Sequence, residues 1–198
     1  LAYTTKRIGF YPYDPNKPVS VAWDLGMNDD TVLIFFQELG QEIRIIDEYS
    51  NSNYGLNHYT QILLEKPYHY HRHLLPHDAA VRDLSTGIAR EQFLWDLGLR
   101  NTQVVTKASI QDGIEKVRLL FHRFRFNADT TQHLVDSLQM YTKRMDQQTG
   151  MWLPTPKHDE HSHRADAMRV LALGLTSFVD DVTDEFGQSA IHIESFEY

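Results

Sequence analysis

Apolar and polar residues are distributed along the first quarter of the chain in a pattern that predicts three short strands. Apolar, β-branched and aromatic residues dominate positions 19–23, 31–36 and 43–49, and Gly26 and Gly40 interrupt the chain between these runs. Such residues suit a pleated, half-buried surface, and short connections join consecutive strands as antiparallel neighbours. The pattern therefore predicts an antiparallel meander.

Beyond residue 55 the apolar spacing becomes that of helices, with short strands between them. Strands are predicted at 74–75 and 103–106, a hairpin around Gly150 at 145–156, and helices at 56–64, 85–97, 109–121, 129–141 and 162–178. Helices that alternate with strands are typical of parallel pairing. The sequence thus predicts a mixed α/β fold, in which parallel strands continue a sheet that begins as a meander.

Some helix ends and buried faces are also predicted. The cap pattern at 85–86 starts a helix whose core face is expected to be Ile88, Phe93 and Leu97. Ser109 with Asp112 three residues later forms a capping box. The three tryptophans are expected in the core rather than on a base-stacking surface: Trp23, Trp95 and Trp152.

Composition limits the class of protein. The chain has 198 residues, 41% of them apolar, which suits one soluble globular domain with a substantial core. There is no run of 18 apolar residues and no signal-peptide pattern, and the absence of cysteine excludes disulfides and thiolate metal sites. Because the chain starts at Leu1 and soon enters a polar stretch, it is expected to be an excised part of a longer protein.

The net charge of −8 is unusual for a protein that handles nucleic acid, since phosphate contacts normally require Lys and Arg. No Lys or Arg follows Arg169, and leaving out six acidic tail residues changes the net charge to −2; these are Asp180, Asp181, Asp184, Glu185, Glu194 and Glu197. A nearly neutral body is compatible with a basic groove, so the net charge decides little.

Three aspartates from distant parts of the chain are candidates for one metal site. Asp24 and Asp78 each follow a short apolar strand, and Asp166 lies in the last apolar helix. Mg²⁺ and Mn²⁺ prefer oxygen ligands, and a pair of such ions can serve phosphoryl transfer. Each aspartate also has a structural interpretation: a turn former or helix cap for the first two, and an ion pair with Arg164 or Arg169 for Asp166.

Two further residues precede Asp166 at helical spacing. Asp159 lies seven positions earlier and His163 three positions earlier, so all three share one face if the helix starts early enough. If the helix starts at Ser162, Asp159 lies in the preceding loop. Both interpretations stand at this stage.

Three motifs that contain these residues resemble the nuclease domain of tailed-bacteriophage large terminases. They are AWDLG at 22–26, LPHDAA at 75–80 and HDEHSHRADAMR at 158–169. The third is the most specific, the first is weak alone, and the likeness covers residues 17 to 178. The pattern in the third motif argues against a cellular nuclease such as a junction resolvase.

The resemblance implies a ribonuclease H-like fold and metal-dependent cleavage of double-stranded concatemeric DNA. It implies that Asp24, Asp78 and Asp166 are catalytic and hold two divalent ions, Mg²⁺ or Mn²⁺, with Asp24 between them. A water molecule would attack the phosphate in line, leaving 3′-hydroxyl and 5′-phosphate ends. Asp159 matches an accompanying position and is a further candidate ligand, while His163 either orients the water or a ligand carboxylate, or anchors the loop before the helix.

The resemblance also implies a domain order and a set of partners. Residues 1–18 would lead in from an ATPase domain missing from this chain, 19–178 would form the nuclease domain, and 179–198 an acidic tail. No glycine is followed by lysine, so the phosphate-binding loop of an ATPase is absent and no ATPase activity is expected. Expected partners are double-stranded DNA, the ATPase domain, the portal protein and the small terminase subunit, in the host cytoplasm and transiently at the procapsid portal, with no membrane.

Three surface features have open interpretations. Five basic residues are either a solvated helix face or part of a DNA groove: Lys107, Lys116, Arg118, Arg123 and Arg125. His69, His71 and His73 are either a zinc cluster or, as the spacing favours, a solvated approach to a strand. The acidic tail either docks on a packaging partner or is a solubilising end. The alternative to a nuclease is a domain that grips DNA or docks on the portal, with weak or masked cleavage.

Overall fold

The computed structural model describes residues 6–26, 29–84, 86–146, 149–157, 159 and 161–186, the last ten by backbone alone. Its strands are β1 Ile8–Gly9, β2 Val19–Asp24, β3 Thr31–Leu39, β4 Glu42–Asn51, β5 Tyr70–Leu75, β6 Thr102–Val104, β7 Phe124–Asn127, β8 Lys143–Met145 and β9 Trp152–Pro156. Its α-helices are α1 Leu56–Glu65, α2 Arg90–Asp96, α3 Ile110–Leu120, α4 Gln132–Met140 and α5 Ser162–Phe186, and His77–Ala80 form a 3₁₀ helix. No helix in these ranges is long and apolar enough to cross a membrane.

Seven strands form one mixed sheet in the order β1-β7-β4-β3-β2-β5-β6. The strands β2, β3 and β4 pair antiparallel, which confirms the predicted meander. The predicted parallel strands follow on one side, where β5 pairs with β2 and β6 with β5. On the other side β7 pairs parallel with β4, and β1 with β7. The mixed α/β fold predicted from the sequence is therefore confirmed.

The strands β1 and β7 were not predicted. In β7, Phe124 and Phe126 are buried while Arg125 between them is half-buried, so the strand alternates over only four residues. A period of two is hard to recognise over so short a run, and the neighbouring basic residues favoured a helix face. β1 brings residues upstream of the predicted domain start at 19 into the sheet.

The two faces of the sheet are covered by different helices, and alternation along β2 decides which side chain faces which layer. Ala22 belongs to the core that includes Ala167 and Leu171 of α5, whereas Trp23 belongs to the opposite core with Tyr59 of α1. Because side chains alternate along a strand, Asp24 lies on the same side as Ala22, towards α5. The pleat of β2 therefore directs Asp24 to the helix that carries Asp166.

The helix α5 crosses the sheet at very short range, and Gly174 makes this possible. A Cβ atom at position 174 would lie 2.5 Å from Cδ1 of Leu74 in β5, so any larger residue would push the helix away. The backbone of α5 continues to Phe186, past the predicted end at 178 and into the predicted acidic tail. The rest of that tail, 187–198, lies outside the described residues.

Two predictions about buried side chains were wrong. The helix α2 starts at Arg90 and buries Leu94, while Ile88 and Phe93 are 43% and 41% exposed. The chain before it bends at Gly87, which has a positive φ of 69°, and a bridge between Arg82 and Ala89 closes the bend, so the helix begins late. The predicted cap residue Ser85 lies outside the described residues.

The second wrong prediction concerns Trp152, which lies in the hairpin. β8 and β9 do form the predicted antiparallel pair, with Gly150 at a positive φ of 66° in the connection. This two-stranded sheet stands apart from the main one, and its Trp152 is 62% exposed rather than in the core. Trp23, in contrast, is fully buried as predicted.

Candidate active site

Three aspartates meet at one edge of the main sheet because two parallel strands end there. Asp24 is the last residue of β2, and the neighbouring β5 ends at Leu75 and leads into the 3₁₀ helix that carries Asp78. Asp166 lies in the second turn of α5, which packs on β2. The three carboxylates line one cleft of about 280 Å³, together with Pro76, His77, Val105, Thr106, Ala108, Ile110, Arg169, Val170 and Leu173. The topology of the sheet thus brings Asp24 and Asp166 to the same cleft although they are far apart in the sequence.

Asp24 is the most enclosed of the three carboxylates. Burial raises the pKa of its carboxyl group, the hydrogen bond with His163 acts in the opposite direction, and the negative charge of Asp166 raises the pKa again. A buried carboxylate beside a second one is disfavoured in its ionised form unless a cation compensates for the charge. The position of Asp24 is therefore electrostatically suited to a cation.

His163 contacts the Asp24 carboxylate directly. Nδ1 of His163 lies 3.2 Å from Oδ2 of Asp24, and this hydrogen bond raises the pKa of His163 above its usual value. Among the roles considered for this histidine, the geometry fits the orientation of the Asp24 carboxylate.

Asp78 and Asp166 are each paired with an arginine. Nη1 of Arg90 donates to Oδ2 of Asp78 at 3.0 Å, and Nε of Arg169 lies 3.2 Å from Oδ1 of Asp166, which Nη2 of Arg169 also contacts. The Asp78 side chain is 46% exposed, and partly exposed ion pairs contribute only about 0–1 kcal/mol. The pair of Arg90 with Asp78 is therefore weak enough to be exchanged for a stronger partner.

The donor set suits a hard divalent cation, although the side chains are not gathered around one point. Carboxylate oxygens are the ligands that Mg²⁺ and Mn²⁺ prefer, and the proximity of Asp24 to Asp166 leaves negative charge to compensate. Within the described ranges, no group of three or more acidic or histidine side chains is placed to hold a metal ion. Each of the three aspartates is instead hydrogen-bonded to its own basic neighbour, His163 for Asp24, Arg90 for Asp78 and Arg169 for Asp166.

Asp159 lies in the loop before α5 and does not line the cleft. Its Oδ1 accepts a hydrogen bond from the backbone N–H of His161, and its Oδ2 lies 3.2 Å from Nζ of Lys157. Ser162 starts the helix and donates from both its N–H and its hydroxyl to the carbonyl of Asp159. Because α5 begins only at Ser162, Asp159 does not share a helix face with Asp166, as a spacing of seven would have given within one helix.

Arg164 anchors the start of α5 to the sheet through Glu48, a residue that the sequence did not single out. Nε of Arg164 donates to Oε2 of Glu48 at 2.7 Å, and its Nη2 donates to Oγ of Ser50 at 2.7 Å. The other oxygen of Glu48 accepts from the backbone N–H of Leu134 in α4 at 2.7 Å. One buried carboxylate thus joins β4, α4 and α5 beside the cleft, and Arg164 is not the partner of Asp166.

The five basic residues proposed to contact DNA separate into two places. Lys107 lies between Thr106 and Ala108, which line the cleft, and Lys116 and Arg118 lie on α3, whose first residue, Ile110, also lines it. Arg118 is paired with Glu115 at 2.7 Å.

Arg123 and Arg125 lie at the opposite end of the sheet. Nε of Arg123 donates to the carbonyl of Gln41 in the turn between β3 and β4, and Nε of Arg125 lies 3.2 Å from a carboxylate oxygen of Glu42. Arg125 is level with Arg44 at the start of β4, whereas Asp24 is level with the end of that strand, roughly 20 Å away at 3.3 Å per residue.

The histidines at 69–73 do not form a cluster. His73 is buried in β5, where Nε1 of Trp23 donates to its Nδ1 at 3.3 Å, while His71 is exposed. Burial lowers the pKa of His73 to about 4. Neither the zinc site nor the solvated approach describes His73, which is a neutral core residue.

Solved structures of large terminases share the fold of this chain, while no family model and no curated protein matches it. The P22 large terminase nuclease domain is 17% identical with a TM-score of 0.63, over 87% of this chain and 89% of that one. The nuclease domain of the bacteriophage SPP1 large terminase, with bound Mn, is 14% identical with a TM-score of 0.59, over 84% of this chain and 95% of that one.

A longer protein matches in one part only. The large terminase of a thermophilic bacteriophage is 13% identical with a TM-score of 0.65 over 86% of this chain, which spans 43% of the length of that protein. The chain therefore has the fold of large terminase nuclease domains, which confirms the fold that the sequence resemblance implied.

Proposed function

We propose that this domain is a divalent-metal-dependent endodeoxyribonuclease that cuts double-stranded concatemeric DNA for a viral packaging motor. The observation that carries the proposal is the cleft in which Asp24, Asp78 and Asp166 come together from three remote elements. The fold shared with large terminase nuclease domains, one of them described with bound Mn, supports the same assignment.

Asp24, Asp78 and Asp166 are the residues that would hold the metal, and two Mg²⁺ or Mn²⁺ ions are the proposed complement. The ions would supply Lewis acidity and neutralise charge on the phosphate. Asp159 lies in the loop before α5 and away from the cleft wall, which makes it a weaker candidate ligand.

The other residues of the site have positioning roles in this proposal. His163 fixes the orientation of the Asp24 carboxylate through its 3.2 Å contact. Glu48 and Arg164 hold the first turn of α5, and with it Asp166, against the sheet. Catalysis by hydrolysis depends on such fixed geometry, because small displacements of the reacting groups lower the rate steeply.

DNA is proposed to approach along α3 and the loop before it. Of the five basic residues, Lys107 is the one beside the cleft, while Lys116 and Arg118 lie farther along α3, where Asp112 and Glu115 balance their charge. Arg123 and Arg125 hold the opposite end of the sheet together and are less suited to this role. The ATPase domain, the portal protein and the small terminase subunit are the proposed protein partners.

A second function is favoured by one observation. All three carboxylates are engaged by histidine or arginine side chains, and within the described ranges no group of three or more acidic or histidine side chains is placed to hold a metal ion. This arrangement suits a domain that grips DNA or docks on the portal, with weak or masked cleavage.

Nicking and linearisation of supercoiled plasmid distinguish the two functions. The domain is incubated with Mn²⁺, Mg²⁺ or EDTA beside Asp24→Asn, Asp78→Asn and Asp166→Asn, with folding checked by circular dichroism. Metal-dependent cutting that all three variants lose supports the nuclease and its acids. Equal cutting by all three variants contradicts the acid assignment, and intact plasmid in every metal favours the gripping domain.

A further inference from the structure

Arg90 and Arg169 occupy equivalent positions around the candidate site. Arg90 donates to the carboxylate of Asp78 and Arg169 to that of Asp166, and both aspartates line the same cleft. The two arginine side chains are only 26% and 17% exposed, so their guanidinium groups are confined near these carboxylates.

The stem of Arg169 is held in place by a close approach of two helices. A Cβ atom at Gly113 of α3 would lie 3.0 Å from Cδ and 3.3 Å from Cβ of Arg169, so the glycine provides the space in which this side chain runs. Arg169 lines the cleft on one side, and on the other side it lines an apolar groove between α3, α4 and α5. Its guanidinium therefore has little freedom to leave the cleft.

Arg90 is the first residue of α2, where the helix itself does not stabilise it. Ala89 provides no side-chain cap, and a positive charge in the first turn opposes the helix dipole. The contact with Asp78 offsets this unfavourable position.

From this geometry we propose that Arg90 and Arg169 each have two successive partners, first the carboxylates of Asp78 and Asp166 and then phosphate groups of bound DNA. The inference rests on the proposed function. A divalent cation that binds the carboxylate oxygens removes the acceptors of both guanidinium groups and leaves them beside a like charge. Guanidinium groups bind phosphate oxygens through paired N–H donors, so DNA in the cleft supplies the replacement.

Two measurements with opposite expected signs test this exchange. For Arg90→Gln and Arg169→Gln, Mn²⁺ affinity without DNA, measured by titration calorimetry, is expected to rise about three- to tenfold because the competing cation is gone. Affinity for a fluorescein-labelled 30-base-pair duplex, measured by anisotropy in Ca²⁺, is expected to fall about tenfold. The slope of log affinity against log salt is expected to flatten by about 0.9 in each variant, since one phosphate contact is lost.

Matched variants separate this role from a structural one. Arg44→Gln removes an arginine paired with Glu42 at 2.9 Å, at the end of β4 far from the cleft, and is expected to change neither measurement. Arg90→Lys and Arg169→Lys keep the charge and are expected to keep the salt slope of the wild type. Chemical denaturation of every variant verifies that the fold is intact.

The outcomes are distinct from those that test the nuclease. Wild-type protein that binds Mn²⁺ and cuts plasmid, with glutamine variants that show unchanged Mn²⁺ affinity and an unchanged salt slope, overturns the exchange and leaves the nuclease standing. A tighter metal site with an unchanged salt slope also overturns it, because phosphate is then not the second partner. Wild-type protein that neither binds Mn²⁺ nor cuts plasmid overturns the proposed function, and the exchange with it.

Discussion

The two ends of the central sheet both concentrate charge, but they satisfy it in different ways. At the far end, Arg123 donates to the backbone carbonyls of Gly40 and Gln41, and Arg125 donates to those of His122 and Phe124 in addition to its ion pair with Glu42. At the cleft end, the carboxylates of Asp24, Asp78 and Asp166 are hydrogen-bonded to the side chains of His163, Arg90 and Arg169.

The difference shows which charges serve the fold and which are open to exchange. An arginine that donates to backbone carbonyls fixes a turn and has no reason to leave it. A carboxylate paired with a partly exposed side chain gains little from that pair and accepts a better ligand readily. Arg123 and Arg125 at the far end are therefore expected to influence stability, and the three carboxylates of the cleft to influence activity, whereas the buried Glu48 beside the cleft serves the fold.

The largest expected effect is at the cleft. Asp24→Asn should lower plasmid cleavage by more than about 100-fold, since an acid proposed to hold both ions is lost. Stability should not fall, because a buried negative charge beside Asp166 is removed. Metal-dependent cleavage assays and urea unfolding of the same preparation measure both. A large loss of stability would mean that Asp24 is structural, and the contrast between the ends would fail.

Glu48→Ala should have the largest effect on stability. The Glu48 side chain is only 6% exposed and accepts from Arg164 and from the N–H of Leu134, so its removal leaves buried donors without an acceptor. Breaking such a buried pair costs about 3 kcal/mol. Urea unfolding measures the loss, and Arg44→Gln at the start of β4, which removes a partly exposed pair with Glu42, is the control, with a change below about 1 kcal/mol. Equal losses in the two variants would contradict the proposed anchor.

The pH dependence of stability should report on His73, which lies in the core between the two ends. Burial lowers the pKa of His73 to about 4 in the folded state, against about 6.5 when unfolded. Below pH 6.5 His73 binds a proton in the unfolded chain but not in the folded chain. The free energy of unfolding therefore decreases as the pH is lowered from 6.5 to about 4. The loss should reach about 2 kcal/mol at pH 5.

His73→Gln tests this assignment, because the amide oxygen of glutamine can still accept from Trp23. Unfolding at pH 7 and pH 5 should show a smaller difference between the two pH values in the variant than in the wild type. An identical difference would assign the acid sensitivity to other groups.

The smallest expected effect concerns DNA affinity. Lys107→Gln should weaken duplex binding about three- to tenfold, since Lys107 lies beside the cleft and one phosphate contact is lost. Arg125→Gln should leave binding unchanged and lower stability by about 1 kcal/mol, through its lost hydrogen bonds to carbonyl groups. Anisotropy and urea unfolding measure the two properties. The reverse assignment, with Arg125 affecting binding, would move the DNA surface to the far end.

The positions of Asp24 and Asp78 followed from the sequence because strand ends are local features. Asp24 and Asp78 stand directly after apolar runs, and parallel strands bring such positions to one edge. The partners of these aspartates did not follow. Whether Arg164 or Arg169 pairs with Asp166 depends on Glu48, whose contact with Arg164 spans 116 positions in the chain. A contact between residues so far apart in the sequence cannot be predicted from a local sequence pattern.

The sequence pattern also failed to predict one short strand and the exposure of some apolar side chains. β7 has four residues, too few for its alternation to stand out among neighbouring arginines. Trp152 was expected in the core because tryptophan is usually covered, but the separate two-stranded sheet of β8 and β9 leaves it 62% exposed. The bend at Gly87 delayed α2 and moved its buried face to Leu94.

The edge strand β1 has a mechanical consequence. Tension applied to the chain at Arg7 enters the sheet through the pairing of β1 with β7, in which the N–H of Phe126 donates to the carbonyl of Arg7 and the N–H of Ala128 to that of Gly9. β7, β4 and β3 lie between this strand and β2, so the load arrives roughly 19 Å from Asp24 at the usual strand spacing. Because β1 has two residues against nine in β3 and ten in β4, it is expected to detach before the meander does.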